Sequence, residues 1–432
     1  MVLFSLVLLV ITLIIGVPVP FAFLVATTLL VITGGYSPSF LLPYGFSKMS
    51  TIVLLAIPLF IMAGGIMERG NIGDKLVDLV DLFVGRIKGG LGVVAVVSCA
   101  VFGSITGSAC ATLSCIGSIM FPRLEKAGYP RGHSAALLAN ASVLGMLIPP
   151  SAIMILYSWV GNQSVLASFL SSVIPGIILT ILLSVINMFL LRNNKDLILA
   201  TPISSKEKWS LFRVRGKRAI PALIMPVLVL GGIYGGIMTP TEAAAVAAVY
   251  SIPVGFWVYK GLTRKGFFEV LVESGTTTGV IMVMLYAVMI LSRLYIMEDL
   301  PTQVLNLLMA VSTNRYAILF MINIFMVIMG MIMDDVSAVL LSTPILLPII
   351  IKLGFSPVHF AAIVGVNLGM GNITPPAAPL LYLGGRVGNA PINEMLMPTV
   401  WMLIFGWLPT LALTTYVPGL ATFLPNLILG VR

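Results

Sequence analysis

Apolar runs near the length of a bilayer span recur from the first residue of this chain to the last, and the positions that interrupt them define its elements. The run from Met1 to Gly16 ends at Gly16-Val17-Pro18-Val19-Pro20, a second covers Phe21 to Ile32, and a third runs from Thr51 to Met67 with Pro58 inside it. Over 71–84 the period changes: Leu76, Val77, Val80 and Phe83 fall on one side and Asp74, Lys75, Asp78 and Asp81 on the other, which predicts an amphipathic helix along the interface. Gly89 to Phe121 is apolar on both sides of a Gly-Ser-Ile-Thr-Gly-Ser tip, each arm about 15 residues where a span needs about 20. Such arms predict a re-entrant hairpin. Ser134 to Trp159 reads as a full span broken at Pro149-Pro150, followed by another from Ile174 to Leu191.

The second half repeats this plan. Shifting the chain by 226 positions superposes Pro122 on Pro348, Lys126 on Lys352, Gly128 on Gly354, His133 on His359, Gly145 on Gly371 and Pro149-Pro150 on Pro375-Pro376. With Ala135, Ala136 and Ala152 there are ten identities in the 31 positions from 122 to 152, where roughly two or three are expected by chance in so apolar a chain. The organisation expected is a first repeat over 1–191, with helices over 1–67, an arm over 68–88, a hairpin over 89–121, a broken helix over 134–160 and a helix over 174–191. A polar linker over 192–218 leads to a second repeat over 219–432, with helices over 219–300, an arm over 302–311, a hairpin over 316–351, a broken helix over 359–385 and a terminal helix over 396–416.

Composition agrees: 59% of the 432 residues are hydrophobic and 9% charged, against about 25% charged in soluble domains. The fold class is an all-α polytopic membrane protein. The net charge of +9 sets topology and does not point to nucleic acid. With Met1 outside, the segments 68–89, 122–133, 192–218, 260–268 and the region of Arg386 face the cytoplasm and hold 19 of the 24 Lys and Arg residues. The loop after the first hairpin carries Arg123, Lys126 and Arg131, its mate only Lys352, so the repeats are expected to face opposite ways. Met1 to Gly16 has no basic flank and no small-residue cleavage site, and reads as a membrane segment. Cys99, Cys110 and Cys115 lack metal or redox spacing and read as core residues.

Inverted, broken elements leave backbone groups without partners at membrane depth, where freed carbonyls bind coupling cations and half-helix N-termini face anions. The acids expected at that depth are Asp334 and Asp335, with Glu242 near the outer end of a span. Asp334, in register with Ser108, reads as the polar anchor of the second tip or as the cap of the return helix. Glu242, after Thr239-Pro240-Thr241, reads as a capping acid. His133 and His359 read as helix-start residues. Arg293, in the apolar helix Val280 to Ile296, is either a carboxylate receptor or a side chain snorkelling to the outer surface.

Gly231-Gly-Ile-Tyr-Gly-Gly-Ile-Met-Thr-Pro-Thr-Glu-Ala-Ala-Ala-Val246, the first tip, Leu147-Ile-Pro-Pro-Ser151 and Ile373-Thr-Pro-Pro376 together resemble the large membrane subunit of tripartite ATP-independent periplasmic (TRAP) transporters, over essentially the whole chain. The resemblance implies sodium-driven uptake of an organic acid across the bacterial inner membrane, by an elevator motion of a transport domain against a scaffold. It implies two partners, a small four-helix membrane subunit and a periplasmic substrate-binding protein, and no cofactor beyond the coupling Na⁺. Carried over, one sodium site uses Thr106, Gly145, Ile148 and Pro150 and the other Gly330, Gly371 and Thr374, with substrate near Ser108, Ser151 and Asp334. Some sialic-acid relatives carry an arginine where this chain has Met297, and Arg293 lies one turn earlier on the same face; the substrates implied are sialic acid or a C4-dicarboxylate. A proton-coupled transporter with Asp334 titrating is the alternative. An intramembrane protease is disfavoured, since both histidines fall in loops, Asp334 and Asp335 are neighbours, and no His-Glu-x-x-His occurs.

Overall fold

The computed structural model describes residues 1–84, 87–198 and 205–430, with the backbone alone over 205–208. Every regular element among them is helical, and eight helices are long and apolar enough to cross a membrane. The chain is a multi-pass membrane protein.

Elements at the core of the molecule lie 226 residues apart to within two positions. The helices Gly90–Thr106 and Ala109–Lys126 form the first hairpin, Arg315–Ile332 and Asp335–Lys352 the second. Each arm holds 17 or 18 residues, about 27 Å of helix and longer than the about 15 expected, and both arms of the second hairpin are among the eight helices long and apolar enough to span. The first broken helix runs Arg131–Ser142, Leu144–Leu147 and, after a 45° bend, Ala152–Val160; the second runs Pro357–Gly371 and Pro379–Val387. Each break contains a cis Pro-Pro bond, Pro149-Pro150 and Pro375-Pro376. The repeats interlock. Ala152–Val160 packs on the return arm Asp335–Lys352 of the second hairpin, and Pro379–Val387 packs on the return arm Ala109–Lys126 of the first. The histidines act within each repeat: His133 Nε2 meets Asn187 Oδ1 at 3.0 Å and His359 Nε2 meets Thr414 O at 2.7 Å, each tying the start of a broken helix to the span that follows it.

Around this core stand Val2–Ile14, Val19–Gly34, Ile52–Arg69, Ser205–Tyr234, Pro240–Val258 and the 34-residue helix Arg264–Met297. Glu242 closes a capping box, its Oε2 accepting from Thr239 N at 2.8 Å. Amphipathic Ile72–Val84 and Leu300–Val311 precede the hairpins, with Leu76 and Val77 buried.

Three features depart from the sequence reading. Helices Pro38–Met49 and Pro418–Leu429 lie outside the elements expected, each with a proline inside it, Pro43 and Pro425. The polar stretch expected as a linker over 192–218 becomes helical at Ser205 and continues into a span as far as Tyr234, so Arg213, Arg215, Lys217 and Arg218 ride on one helix. Its aromatic residues and arginines stack there, Trp209 on Phe212 at 5.5 Å and Arg213 over Trp209 at 5.6 Å, as interfacial side chains do. The part of that stretch over 199–204 lies outside the described residues.

Candidate functional site

The first tip narrows to Gly107-Ser108, because helix continues through Thr106. Gly107 is required there: its φ is +62°, its N–H donates to Gly103 O at 2.8 Å, and a Cβ on it would stand 2.6 Å from Pro150 O. Ser108 then caps the return helix, its Oγ accepting from Ala111 N at 3.5 Å. Thr106 Oγ1 lies 3.1 Å from Thr112 Oγ1 and 3.4 Å from Ser108 O, and Thr112 donates to Ser108 O at 2.8 Å. The break packs directly on these oxygens. A Cβ at Gly145 would lie 2.5 Å from Thr112 Oγ1 and 2.8 Å from Ser108 O, and one at Gly103 would lie 2.4 Å from Gly145 Cα. Because residues 149 and 150 are prolines, Gly145 O and Met146 O have no i+4 N–H to accept from. The helix turns out at Ile148, with ψ at 121°. The hydroxyls of Thr106 and Thr112 and the carbonyl of Ser108 thus lie together against the backbone of Gly145, with Pro150 O beside Gly107, oxygens suited to a hard cation. Thr112 was missed in the sequence; its signal is the four-residue spacing from Ser108.

The second tip repeats the backbone crossing. A Cβ at Gly371 would lie 2.6 Å from Gly330 Cα and 2.9 Å from Val327 O. Thr374 Oγ1 donates to Met370 O at 2.6 Å, and the buried Asn372 Oδ1 beside it has no hydrogen-bond partner among the described residues. Asp334 caps the return helix: its Oδ2 accepts from Ser337 N at 3.1 Å and its Oδ1 takes the Ser337 hydroxyl. It is exposed, whereas Asp335, one residue on, turns inward.

Between the tips and the outer helices lies a cavity of about 390 Å³. Thr106, Ser108, Cys110 and Asp335 line one side together with Ala152 at the start of its half-helix. Glu68, Glu273, Ser274 and Thr277 line the other, on Ile52–Arg69 and Arg264–Met297. Gly64 permits the approach of the two sides, a Cβ there standing 3.3 Å from Thr106 Cα. Ser151, adjoining Ala152, is fully buried and its Oγ has no hydrogen-bond partner among the described residues. Arg293 is elsewhere. It is exposed, 5.4 Å from the Tyr44 ring centroid, and sits about 18 Å along the helix from Ile281, the cavity residue nearest to it on that helix. Glu68 and Glu273 were missed: they lie in the last or early turns of long helices whose apolar stretch was read as ending at Met67 and beginning at Val280. Arg69 pairs with Glu273 at 2.6 Å and also with Glu269, so one cavity carboxylate is matched at the rim.

Comparison with known proteins gives this arrangement a family. The family model described as "Tripartite ATP-independent periplasmic transporter, DctM component" matches residues 6–420. Among similar proteins, the isethionate TRAP transporter permease protein DctMQ of Oleidesulfovibrio alaskensis is 34% identical over 95% of this chain, which spans 64% of that protein's length. The C4-dicarboxylate TRAP transporter large permease protein DctM of Pseudomonas aeruginosa is 34% identical over 88% of each chain, and the sialic acid TRAP transporter large permease protein SiaM of Vibrio cholerae is 31% identical over 96% of each. Among solved structures, the Alcanivorax borkumensis YdaH transporter superposes with a TM-score of 0.60 over 88% of each chain at 15% identity. MtrF of Neisseria gonorrhoeae, an antimetabolite efflux pump, does so with 0.56 over 90% of this chain and 85% of its own at 12% identity; both likenesses concern the fold alone. The chain belongs to the DctM-component family of tripartite ATP-independent periplasmic transporters.

Proposed function

We propose that this chain is the translocating subunit of a sodium-coupled importer of a small organic acid in the bacterial inner membrane, with its N-terminus in the periplasm. It works with a small four-helix membrane subunit and a periplasmic substrate-binding protein. The observation that carries this reading is the cavity shared by the first tip, the half-helix starting at Ala152 and Asp335. An anion there meets the N-terminal end of that half-helix and the hydroxyls of Ser108 and Thr106. Sodium is cargo, held in the first repeat by Thr106, Gly145, Ile148 and Pro150 and in the second by Gly330, Gly371 and Thr374. Oxygen-rich surroundings at Gly145 and the buried Asn372 Oδ1, without a hydrogen-bond partner among the described residues, fit a cation bound without a charged ligand. Substrate sits by Ser108 and Ser151, with Asp335 as the carboxylate facing it and Asp334 holding the tip through its cap. The names of the relatives, isethionate, C4-dicarboxylate and sialic acid, support an organic acid as substrate.

The hairpins and broken helices pack on one another across the two repeats, while Ile52–Arg69 and Arg264–Met297 border the cavity and touch them beside it, Ile52–Arg69 on Gly90–Thr106 and Arg264–Met297 on Asp335–Lys352. We read the interlocked set as the moving body of an elevator and the outer helices as its scaffold, with Ile72–Val84 and Leu300–Val311 as the arms between them. The test is uptake into vesicles holding this chain with its small subunit, fed by the loaded binding protein. A sodium gradient drives uptake, a pH gradient alone does not, and Thr106→Ala abolishes it while the protein stays folded. Uptake by Thr106→Ala at the wild-type rate would sink the assignment. Asp335, a cavity carboxylate with no basic partner among the described residues, favours a second reading in which a proton is the coupling ion; uptake driven by the pH gradient alone selects it.

A further inference from the structure

On the outward face of the second hairpin, away from the transport cavity, an apolar groove of about 310 Å³ runs between Arg315–Ile332 and the terminal span Ile392–Tyr416. Phe320, Ile324 and Ile328 form one wall, Leu408, Ala412 and Tyr416 the other, and all six are exposed. Asn323 also borders the groove, but its amide is satisfied inside: Nδ2 donates to Thr415 Oγ1 at 2.9 Å and Oδ1 accepts from Asn367 Nδ2 at 2.9 Å. Apart from the Tyr416 hydroxyl at one end, the side chains that line the groove among the described residues are apolar or have their polar groups turned inside, which suits a hydrocarbon chain.

Its end has different chemistry. The Tyr416 ring lies 6.3 Å from that of Tyr316, and the Arg315 guanidinium carbon lies 4.9 Å from the Tyr316 ring and 5.5 Å from the Phe355 ring. Arg315 Nη2 also donates to Tyr316 Oη at 3.1 Å. Held by three groups, this arginine is exposed and has no carboxylate within ion-pair distance among the described residues. Phe320 begins the apolar wall about 7.5 Å further along the same helix. A cation fixed among tyrosines at the membrane–water boundary, at the head of an apolar groove of membrane depth, is complementary to a phosphate that carries an acyl chain.

We propose that this groove is a phospholipid site, with the headgroup phosphate on Arg315 and one acyl chain lying along Phe320, Ile324 and Ile328 against Leu408 and Ala412. The chain would end at Val327 and Met370, which also line the groove. Those two residues back the Gly330–Gly371 crossing, since Val327 O abuts Gly371 and Met370 O accepts the Thr374 hydroxyl.

The test is native mass spectrometry of the delipidated full chain titrated with dioleoyl phosphatidylglycerol, dioleoyl phosphatidylethanolamine, dioleoylglycerol or inorganic phosphate. One phospholipid of either kind is retained per chain at concentrations where surrounding lipid is lost, and inorganic phosphate is not. Arg315→Gln weakens retention of both phospholipids about tenfold and leaves dioleoylglycerol unchanged. Ala412→Trp, which fills the groove, removes all three. Arg315→Gln lies at the surface and keeps the wild-type melting temperature, so it tests the site even where Ala412→Trp misfolds. Equal phospholipid retention by wild type and Arg315→Gln overturns the proposal. So does loss of the bound lipid when the small subunit assembles on the chain, which makes the groove a protein interface.

Discussion

At the scale of single residues, the two tips are held by glycines that let backbone touch backbone. A methyl at Gly103 would meet Gly145 Cα at 2.4 Å and one at Gly371 would meet Gly330 Cα at 2.6 Å, distances that no side-chain rotation relieves. Gly103→Ala and Gly371→Ala should each destabilise the protein by about 1–3 kcal/mol, read as a lowered thermal midpoint in detergent. Gly279→Ala, in open space on Arg264–Met297, should leave the midpoint unchanged or raise it. If all three substitutions behave alike, the glycines are not spacers. The neighbouring acids separate in the same way. Asp334→Asn keeps an oxygen for Ser337 N and loses little of the cap, whereas Asp335→Asn changes the charge of the cavity. Uptake at fixed sodium should fall more than tenfold in Asp335→Asn and much less in Asp334→Asn; the reverse order returns the anchor role to Asp334. Register with Ser108 was legible in the sequence and leads to the correct helix cap. Which of two adjacent carboxylates turns inward depends on helix phase at the return arm, and an alignment of positions does not carry that.

At the scale of elements, the arm Ile72–Val84 shows what periodicity can and cannot reveal. Its acidic stripe, Asp74, Asp78 and Asp81, spaced four and three residues apart, was readable as one face. The structure supplies the partners: Arg123 of the first hairpin reaches Asp78 at 2.9 Å and Asp74 at 3.4 Å, and Arg215 reaches Asp81 at 3.3 Å. These side chains are 29–42% exposed, so each pair contributes about 0.2–1 kcal/mol after solvent screening. The buried face is stronger. Leu76→Ala should cost about 2–4 kcal/mol, while Asp78→Asn should cost under about 1 kcal/mol, both read from thermal midpoints at low salt. An equal loss would mean that the ion pairs hold the arm. The helix ends at both tips and at both Pro-Pro breaks fall where local composition changes. The short helices Pro38–Met49 and Pro418–Leu429 were not legible, since each combines an internal proline with a length that tertiary packing must rescue.

At the scale of the whole molecule, charge and geometry together yield a prediction of which way the cavity opens. Glu68 and Arg69 end the helix Ile52–Arg69, and Glu273 lies about 14 Å from the basic start of Arg264–Met297, so the rim stands at the side where Lys and Arg collect. From there the lining runs through Thr277 to Ile281, about 26 Å from that helix start, and Arg293 lies a further 18 Å on toward the opposite end. On the proposed orientation, with the N-terminus in the periplasm, the cavity would open to the cytoplasm. Its wall carries one thiol, Cys110, which is exposed, while Cys99 and Cys115 are buried. A membrane-impermeant maleimide should label the wild-type protein in inside-out vesicles, fail to label it in right-side-out vesicles, and label Cys110→Ser in neither. Because the three cysteines differ only in burial and position, the labelled side reports the orientation that charge counting assigned and the opening that packing assigned. Labelling of Cys110 from the periplasmic side alone would require one of the two to be reversed. The effect of Asp335→Asn on uptake decides which: if that variant still shows loss of transport, the cavity is the right site and the orientation is wrong.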